Sequence, residues 1–122
     1  MENKILIVED DVLVGESLEE YLVEEGYKVR LVNSGEDALQ ILSAFNPSLV
    51  IVDIRLPGID GNEFIVRAFA QNSKLKFVIH TGYNSYQLPE ALINIGLNQE
   101  DIFLKPIKNM DVFCNAIEKR CG

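Results

Sequence analysis

Short apolar segments alternate with amphipathic segments along the whole chain. Segments 4–8, 49–52 and 77–79 are essentially apolar, which is typical of strands buried on both faces of a sheet. Segment 27–31 alternates strictly between polar and apolar residues, so it predicts a strand with one face in solvent. A short segment at 102–104 predicts a last strand. The pattern thus predicts five short strands.

Helical spacing of apolar residues fills the stretches between these strands. Asp11 is expected to cap the first helix, which Gly26 ends. Ser34 and Asp37 resemble a capping box that opens the second helix, and this helix closes before Pro47. Further helices are predicted at 62–71, at 89–95 and from a cap at Asn109 through Lys119.

The alternation of strands and helices predicts one (βα)5 domain over residues 1–122. Such alternation gives a parallel sheet with helices on both faces and right-handed crossovers. The three apolar strands suit the centre of the sheet, whereas the second and fifth strands suit its edges. The predicted fold is therefore α/β, a flavodoxin-like three-layer sandwich with a five-stranded parallel sheet of order 2-1-3-4-5.

Composition and charge narrow the class of function. The 122 residues are 48% hydrophobic, which is enough for one core without disulfides or metals. The formal net charge of −8 argues against binding to nucleic acid or to an anionic membrane surface. No apolar run approaches the about 20 residues of a spanning helix, and no signal peptide is recognisable, so a cytoplasmic location is expected. Cys114 and Cys121 are expected to lie roughly 10 Å apart on the last helix as free thiols.

Polar side chains follow most of the predicted strands, at the point where each strand ends. Glu9 and Asp10 follow the first strand, Asp53 the third, Thr81 the fourth and Lys105 the fifth. Ligands of such folds bind beyond the carboxyl ends of the strands, here between strands one and three, so these side chains are expected to meet. The second strand ends in Asn33 and Ser34, which are expected to lie off to the side.

The carboxylates predicted at this edge would repel each other, and a hard divalent cation such as Mg²⁺ relieves that repulsion. An aspartate in such a site can act as a nucleophile and form an acyl phosphate. Lys105 is expected to pair with Asp53 at rest and with a phosphoryl group afterwards, and Thr81 offers that group a hydrogen bond. These residues therefore predict magnesium-dependent phosphoryl chemistry.

Four motifs together resemble the receiver domain of two-component response regulators. They are ILIVEDD at 5–11, DIRLPGIDG at 53–61, HTG at 80–82 and LKP at 104–106. The resemblance covers the whole chain in order, and the motif at 53–61 is its most specific part. It implies a phosphorylation-dependent signalling switch of a two-component phosphorelay.

The resemblance also implies a role for each site residue. Asp53 would accept a phosphoryl group from the phosphohistidine of a sensor histidine kinase or of a phosphotransfer protein. The implied Mg²⁺ ligands are Asp10, Asp53, the backbone carbonyl of Arg55 and, through water, Glu9. Thr81 and Lys105 would contact the phosphoryl group, and the Lys105–Pro106 bond is expected to be cis.

The family resemblance further implies what the chain does with the phosphoryl group. Its chemistry would be limited to self-catalysed phosphotransfer and slow autodephosphorylation, so the chain is not expected to be an enzyme. Signalling would proceed through the face of helix 4, strand 5 and helix 5, toward an output partner or domain that the sequence leaves open. Whether the chain stands alone or is a segment of a larger regulator is equally open.

Two departures from the family pattern concern signal transmission. The family usually carries Tyr or Phe three residues before the lysine, whereas Ile102 stands there and Phe103 comes next. The stretch from Gly96 to Lys105 is also about two residues longer than usual. Strand alternation would point Phe103 away from the switch position, but a register shift in the longer loop would bring it there. Both alternatives stay open at this point.

Other residues admit structural roles. Asp11 and Asp60 are expected to be helix caps, and His80 is expected to pack or to form a hydrogen bond. Arg55 and Tyr83 stand two residues beyond the acceptor and the threonine, where the family places residues that flank the path of attacking water. They are expected to tune the lifetime of the phosphoryl group.

Three rival functions are disfavoured by particular residues. A phosphohydrolase with an aspartyl nucleophile often has a second acid two residues later, where Arg55 stands here. A nucleotide-binding protein would have G-x-G-x-x-G after the first strand, and the chain has Glu9 and Asp10 there. A receiver that has lost phosphorylation would lack part of the acidic, threonine and lysine set, which is complete.

Overall fold

A five-stranded parallel sheet lies between two layers of helices in the computed structural model, which describes residues 3–121. The strands are β1 (Lys4–Val8), β2 (Lys28–Val32), β3 (Leu49–Val52), β4 (Lys76–Thr81) and β5 (Ile102–Leu104). Their order is β2-β1-β3-β4-β5, and each neighbouring pair is parallel. The predicted flavodoxin-like fold and its strand order are confirmed.

The helices begin and end close to the residues that the capping signals indicate. They are α1 (Val12–Glu24), α2 (Gly35–Phe45), α3 (Gly61–Gln71), α4 (Glu90–Asn94) and α5 (Met110–Cys121). Asp11, Ser34 and Asp60 are the N-caps of α1, α2 and α3, and each accepts a backbone hydrogen bond. Helix α4 is shorter than the predicted 89–95, because Pro89 is its N-cap without a side-chain cap and Gly96 follows with a φ of +109°.

Two apolar clusters hold the helices against the sheet. The face toward α2, α3 and α4 is filled by residues such as Leu6, Val50 and Phe64, and the face toward α1 and α5 by Ile7 and Phe113, among others. Strands β1, β3 and β4 contribute to both clusters, which explains why their sequences are apolar without a period. Among residues 3–121, no helix has the length and apolar character that crossing a membrane requires.

The edge strand β5 places Ile102 and Phe103 on opposite faces. Ile102 packs with the cluster beneath α3 and α4, whereas the Phe103 ring lies 5.1 Å from the Phe113 ring of α5. A 3₁₀ turn at Gln99–Asp101 leads into β5, where Ile102 pairs with Ile79 and Phe103 with His80 of β4. Phe103 therefore faces α5 and points away from the face that Ile102 joins, as strand alternation predicts.

An ion pair holds the turn that leads into β5. Arg120 of α5 donates to the Asp101 carboxylate, with Nη2 2.6 Å from Oδ1, and also to the backbone carbonyl of Glu100. Both charged side chains are largely buried. The turn before β5 is thus tied to the last helix.

Candidate functional site

The carboxyl ends of four strands bring the predicted site residues together. Asp53 N–H donates to the Val8 carbonyl at 3.0 Å, and this bond sets the ends of β1 and β3 side by side. One carboxylate oxygen from each of Glu9, Asp10 and Asp53 lies within 4.8 Å of the others. The acidic cluster that the strand order predicted is therefore present.

Lys105 enters this cluster from the end of β5. Its Nζ lies 2.8 Å from Glu9 Oε1 and 3.1 Å from Asp53 Oδ2. The sequence predicted the pair with Asp53, but the shorter contact with Glu9 was missed. Burial disfavours the charge on Lys105, yet the hydrogen bonds to both carboxylates outweigh it and raise the pKa of Lys105 above its usual value. One ammonium thus faces three carboxylates, which leaves an excess of negative charge.

Glu9 is the most buried of the three acids, with 2% of its surface exposed. Burial raises the pKa of Glu9 to about 7, and the hydrogen bond from Lys105 opposes that rise. Its second oxygen accepts a hydrogen bond from Asp11 N–H at 3.2 Å. Asp10 beside it is exposed to solvent. A hard divalent cation prefers carboxylate oxygens and keeps several waters. The three carboxylates supply such oxygens and the exposed side at Asp10 admits water, so these residues fit such an ion.

Asp53 and Thr81 are both buried at the centre of the site. Asp53 Oδ1 accepts a hydrogen bond from Arg55 N–H at 3.3 Å. Thr81 Oγ1 accepts from Tyr83 N–H at 3.1 Å, and its own hydroxyl hydrogen stays available for a further acceptor. The Arg55 guanidinium lies over the Tyr83 ring, 4.4 Å from its centroid. This stacked pair, which the sequence did not reveal, joins the loops that follow β3 and β4.

An apolar cavity of about 510 Å³ opens beside Lys105. Helix α1 contributes Leu13 and Leu18 to it, and the segment after β5 contributes Ile107 and Met110. Leu13 is 76% exposed, although it is a large apolar residue. An apolar surface therefore borders the site, and covering it with a partner would remove apolar area from water.

His80 borders the same cavity from within the sheet. Burial lowers its pKa to about 4, and the positive charge of Lys105 acts in the same direction. Its ring lies 6.2 Å from that of Phe113, and Nε2 has no hydrogen-bond partner among the described residues. His80 therefore has a packing role, which is one of the two roles expected for it.

The sequence predicted the cis peptide at Lys105–Pro106 but not the contact that Asn33 makes with Glu9. The Lys105–Pro106 peptide is cis, as the family resemblance implied. Asn33, expected to lie to the side, reaches the site instead: its Nδ2 donates to the backbone carbonyl of Glu9 at 3.1 Å. The contact joins residues 24 positions apart, and no local pattern signals it.

Comparison with known proteins agrees with this geometry. The family model described as the response regulator receiver domain matches residues 5–118. Sporulation initiation phosphotransferase F of Bacillus subtilis is 30% identical over 119 residues, which cover 98% of this chain and 94% of that protein. The chain spans only 51% and 52% of the length of two further curated relatives, both named as transcriptional regulatory proteins.

Solved structures give the same result. The response regulator TrrA of Thermotoga maritima, crystallised with Mg²⁺ and BeF, matches with a TM-score of 0.83 at 29% identity. That match covers 97% of this chain and 98% of the other. A chain from the complex of the histidine kinase ThkA with TrrA matches with a TM-score of 0.84 at 29% identity, covering 98% of this chain and 99% of that one.

Proposed function

Because the chain belongs to the response regulator receiver domain family, we propose that Asp53 accepts a phosphoryl group from a phosphohistidine. The observation that carries the proposal is the place of the Asp53 carboxylate. It lies within 4.8 Å of two other carboxylates and 3.1 Å from an ammonium, at the edge of the sheet where ligands of this fold bind. The phosphodonor is a sensor histidine kinase or a phosphotransfer protein, and the whole extent 1–122 acts as one receiver domain.

A magnesium ion completes the site in this proposal. The Mg²⁺ would be held by Asp10, Asp53 and the backbone carbonyl of Arg55, and through water by Glu9. When bound, the ion offsets negative charge on the carboxylates and on the phosphoryl oxygens. The Mg²⁺ and BeF found with the TrrA relative support this assignment, since they occupy a protein of the same family.

The residues of the chain divide the transfer between them. An Asp53 oxygen forms a bond to phosphorus while the bond between phosphorus and the donor imidazole nitrogen breaks, and the imidazole keeps that electron pair. Lys105 moves its hydrogen bond from the Asp53 carboxylate to a phosphoryl oxygen. Thr81 donates its free hydroxyl hydrogen to another phosphoryl oxygen. The product is an aspartyl phosphate, which the same site hydrolyses slowly with water, so the chain acts as a switch and not as an enzyme on other substrates.

The partner surface for the donor lies next to the acceptor. A phosphohistidine can reach Asp53 only if its protein covers the rim of the site, and Leu13 with the neighbouring apolar cavity forms that rim. Apolar residues exposed at such a place favour protein docking. The complex of TrrA with the kinase ThkA supports a kinase as the partner class. A kinase partner and free thiols at Cys114 and Cys121 together support a cytoplasmic location.

The output surface is proposed on a second face of the domain. Helix α4, strand β5 and helix α5 form this face, where Ile93 is 55% exposed and Leu104 47% exposed. An output partner or domain would bind there after phosphorylation. No role in binding nucleic acid or membrane is proposed for these residues, because the net charge of −8 opposes both.

Phosphorylation with a small donor tests the proposal. Wild type, Asp53→Asn and the distant control Asp111→Asn are incubated with acetyl phosphate and Mg²⁺, with and without chelator, and their intact masses are measured. We expect one base-labile phosphoryl adduct that requires Mg²⁺, persists in the control and is absent from Asp53→Asn. An adduct that survives Asp53→Asn would place the acceptor elsewhere. The absence of both an adduct and Mg²⁺ binding would favour a receiver fold that has lost its chemistry.

A further inference from the structure

The corner between β2 and α2 supplies no carboxylate to the acidic cluster, yet two of its side chains reach the loops that carry the acids. Asn33 Nδ2 donates to the backbone carbonyl of Glu9 at 3.1 Å. Glu36 Oε2 accepts a hydrogen bond from the backbone N–H of Ile59 at 3.0 Å. The first contact holds the loop after β1, and the second holds the loop after β3.

The contact from Asn33 acts on the peptide that joins Glu9 to Asp10. The Glu9 N–H already donates to the Val32 carbonyl at 3.0 Å, so the end of β2 holds both backbone polar groups of Glu9. Asp10 is exposed, and its side chain makes no hydrogen bond or ion pair with the described residues. The position of the Asp10 carboxylate therefore depends on the peptide before it, which Asn33 fixes.

The contact from Glu36 acts on the turn that follows Asp53. Gly58 has a φ of +73°, and a Cβ at this position would collide with the Glu36 carboxylate. Because the glycine leaves that space open, the carboxylate can reach the next peptide N–H, at Ile59. Further along this loop, Gly61 N–H donates to the Ile54 carbonyl at 2.8 Å. The loop is thus fixed at two points while Asp53 and Arg55 lie at its start.

We propose that Asn33 and Glu36 are positioning residues for the divalent cation, each holding one of the two acid-bearing loops in place. The inference rests on the proposed function, because it assumes that Glu9, Asp10 and Asp53 bind the ion. Three like charges brought together tend to move apart, so the backbone beneath them has to be restrained before the cation arrives. Neither residue touches the ion or the phosphoryl group in this role.

The test compares Mg²⁺ affinity with stability in variants of the same corner. Mg²⁺ alone is titrated into the full chain at constant pH, the amide NMR shifts of the two loops give the affinity, and thermal melting gives the stability. Asn33→Ala and Glu36→Ala are each expected to lower the affinity by roughly two- to tenfold, the range of one lost hydrogen bond. Glu36→Gln keeps an acceptor for the Ile59 N–H without the charge, and it is expected to bind Mg²⁺ nearly as wild type does.

Ser34→Ala is the matched control. Ser34 Oγ caps α2 by accepting from Asp37 N–H at 3.1 Å, and its side chain has no hydrogen bond to either acid-bearing loop among residues 3–121. The Ser34→Ala substitution should lower the melting temperature and leave Mg²⁺ affinity unchanged. If Asn33→Ala binds Mg²⁺ as tightly as wild type, or if every variant loses affinity in step with its melting temperature, the positioning role is overturned. If wild type itself binds no Mg²⁺, the proposed function fails together with this inference, and that result is distinct from the others.

Discussion

The Lys105 ammonium lies closer to Glu9 than to Asp53, at 2.8 Å from the first carboxylate and 3.1 Å from the second. A lysine expected to serve the acceptor aspartate is therefore shared with its acidic neighbour. This sharing stabilises the charges of both Glu9 and Asp53, since each of these two carboxylates contacts the same ammonium.

Removing that shared charge should weaken the apoprotein. Lys105→Met leaves the acids of the site unpaired, and we expect the free energy of unfolding without Mg²⁺ to fall by about 1–2 kcal/mol. Because Lys105 is partly exposed, solvent screens the pair and the loss stays below the cost of breaking a fully buried pair. Urea denaturation in chelator measures the loss, with Lys108→Met as the control. Added Mg²⁺ should restore much of it, and equal stabilities of Lys105→Met and wild type in chelator would contradict the shared role.

The raised pKa of Glu9 predicts a pH dependence of stability. In chelator, the folded protein holds the Glu9 proton up to about pH 7, whereas an unfolded glutamate releases it near 4.5. The folded state binds more protons across this window, so the free energy of unfolding should fall as the pH rises from about 4.5 to about 7. Glu9→Gln should remove this part of the slope, as measured by urea denaturation at a series of pH values. An unchanged slope in Glu9→Gln would assign the effect to another group.

The stacked pair of Arg55 and Tyr83 should govern how long the aspartyl phosphate survives. The pair joins the two loops beside Asp53, and we expect its loss to expose the acceptor to water. Tyr83→Ala is expected to shorten the phosphoryl lifetime by about two- to fivefold, in line with one exposed cation–π contact. Tyr83→Phe keeps an aromatic face and should stay near wild type. Decay of the adduct followed by intact mass decides this, and a longer lifetime in Tyr83→Ala would show that the pair does not shield the acceptor.

A hydrogen bond ties the loop after β4 to helix α3. The Tyr86 hydroxyl donates to Asn62 Oδ1 at 2.5 Å, and burial raises the pKa of Tyr86 to about 12. We expect Tyr86→Phe to lower the free energy of unfolding by about 1 kcal/mol and to speed amide exchange at 83–89. Tyr27→Phe, at the far end of the sheet, is the control for the exchange pattern. Unchanged exchange in that loop would mean that the hydroxyl does not restrain it.

Sequence periodicity was sufficient for the sheet but less so for its edges. Residues 49–52 were predicted with the bounds of β3, because a strand buried on both faces has an uninterrupted apolar run. Strand β4 extends to Thr81, beyond the predicted 77–79, since His80 and Thr81 are polar residues buried by their neighbours. Buried polar residues interrupt the apolar run that signals a buried strand, and so the predicted strand ended too early.

The order of the strands predicted which residues meet at the site, but not which of their atoms are in contact. Parallel strands bring their carboxyl ends to one edge, and that rule was enough to join Glu9, Asp10, Asp53, Thr81 and Lys105. Which atoms then touch depends on side-chain directions and on loop paths that the spacing does not contain. The bond from Asn33 to Glu9 and the bond from Tyr86 to Asn62 each span 24 residues. Such contacts follow from the folded backbone and not from any local sequence pattern.

Strand β5 has only three residues, yet an ion pair holds it at each end. Asp101 is tied to Arg120 just before the strand, and Lys105 is tied to Glu9 and Asp53 just after it. A strand with so few ladder bonds owes much of its order to these two attachments. Any reaction that changes the charge on Asp53 changes the second attachment directly. Strand β5, at the sheet edge proposed to face a partner, is therefore anchored at one end by Asp53, whose charge phosphorylation would alter.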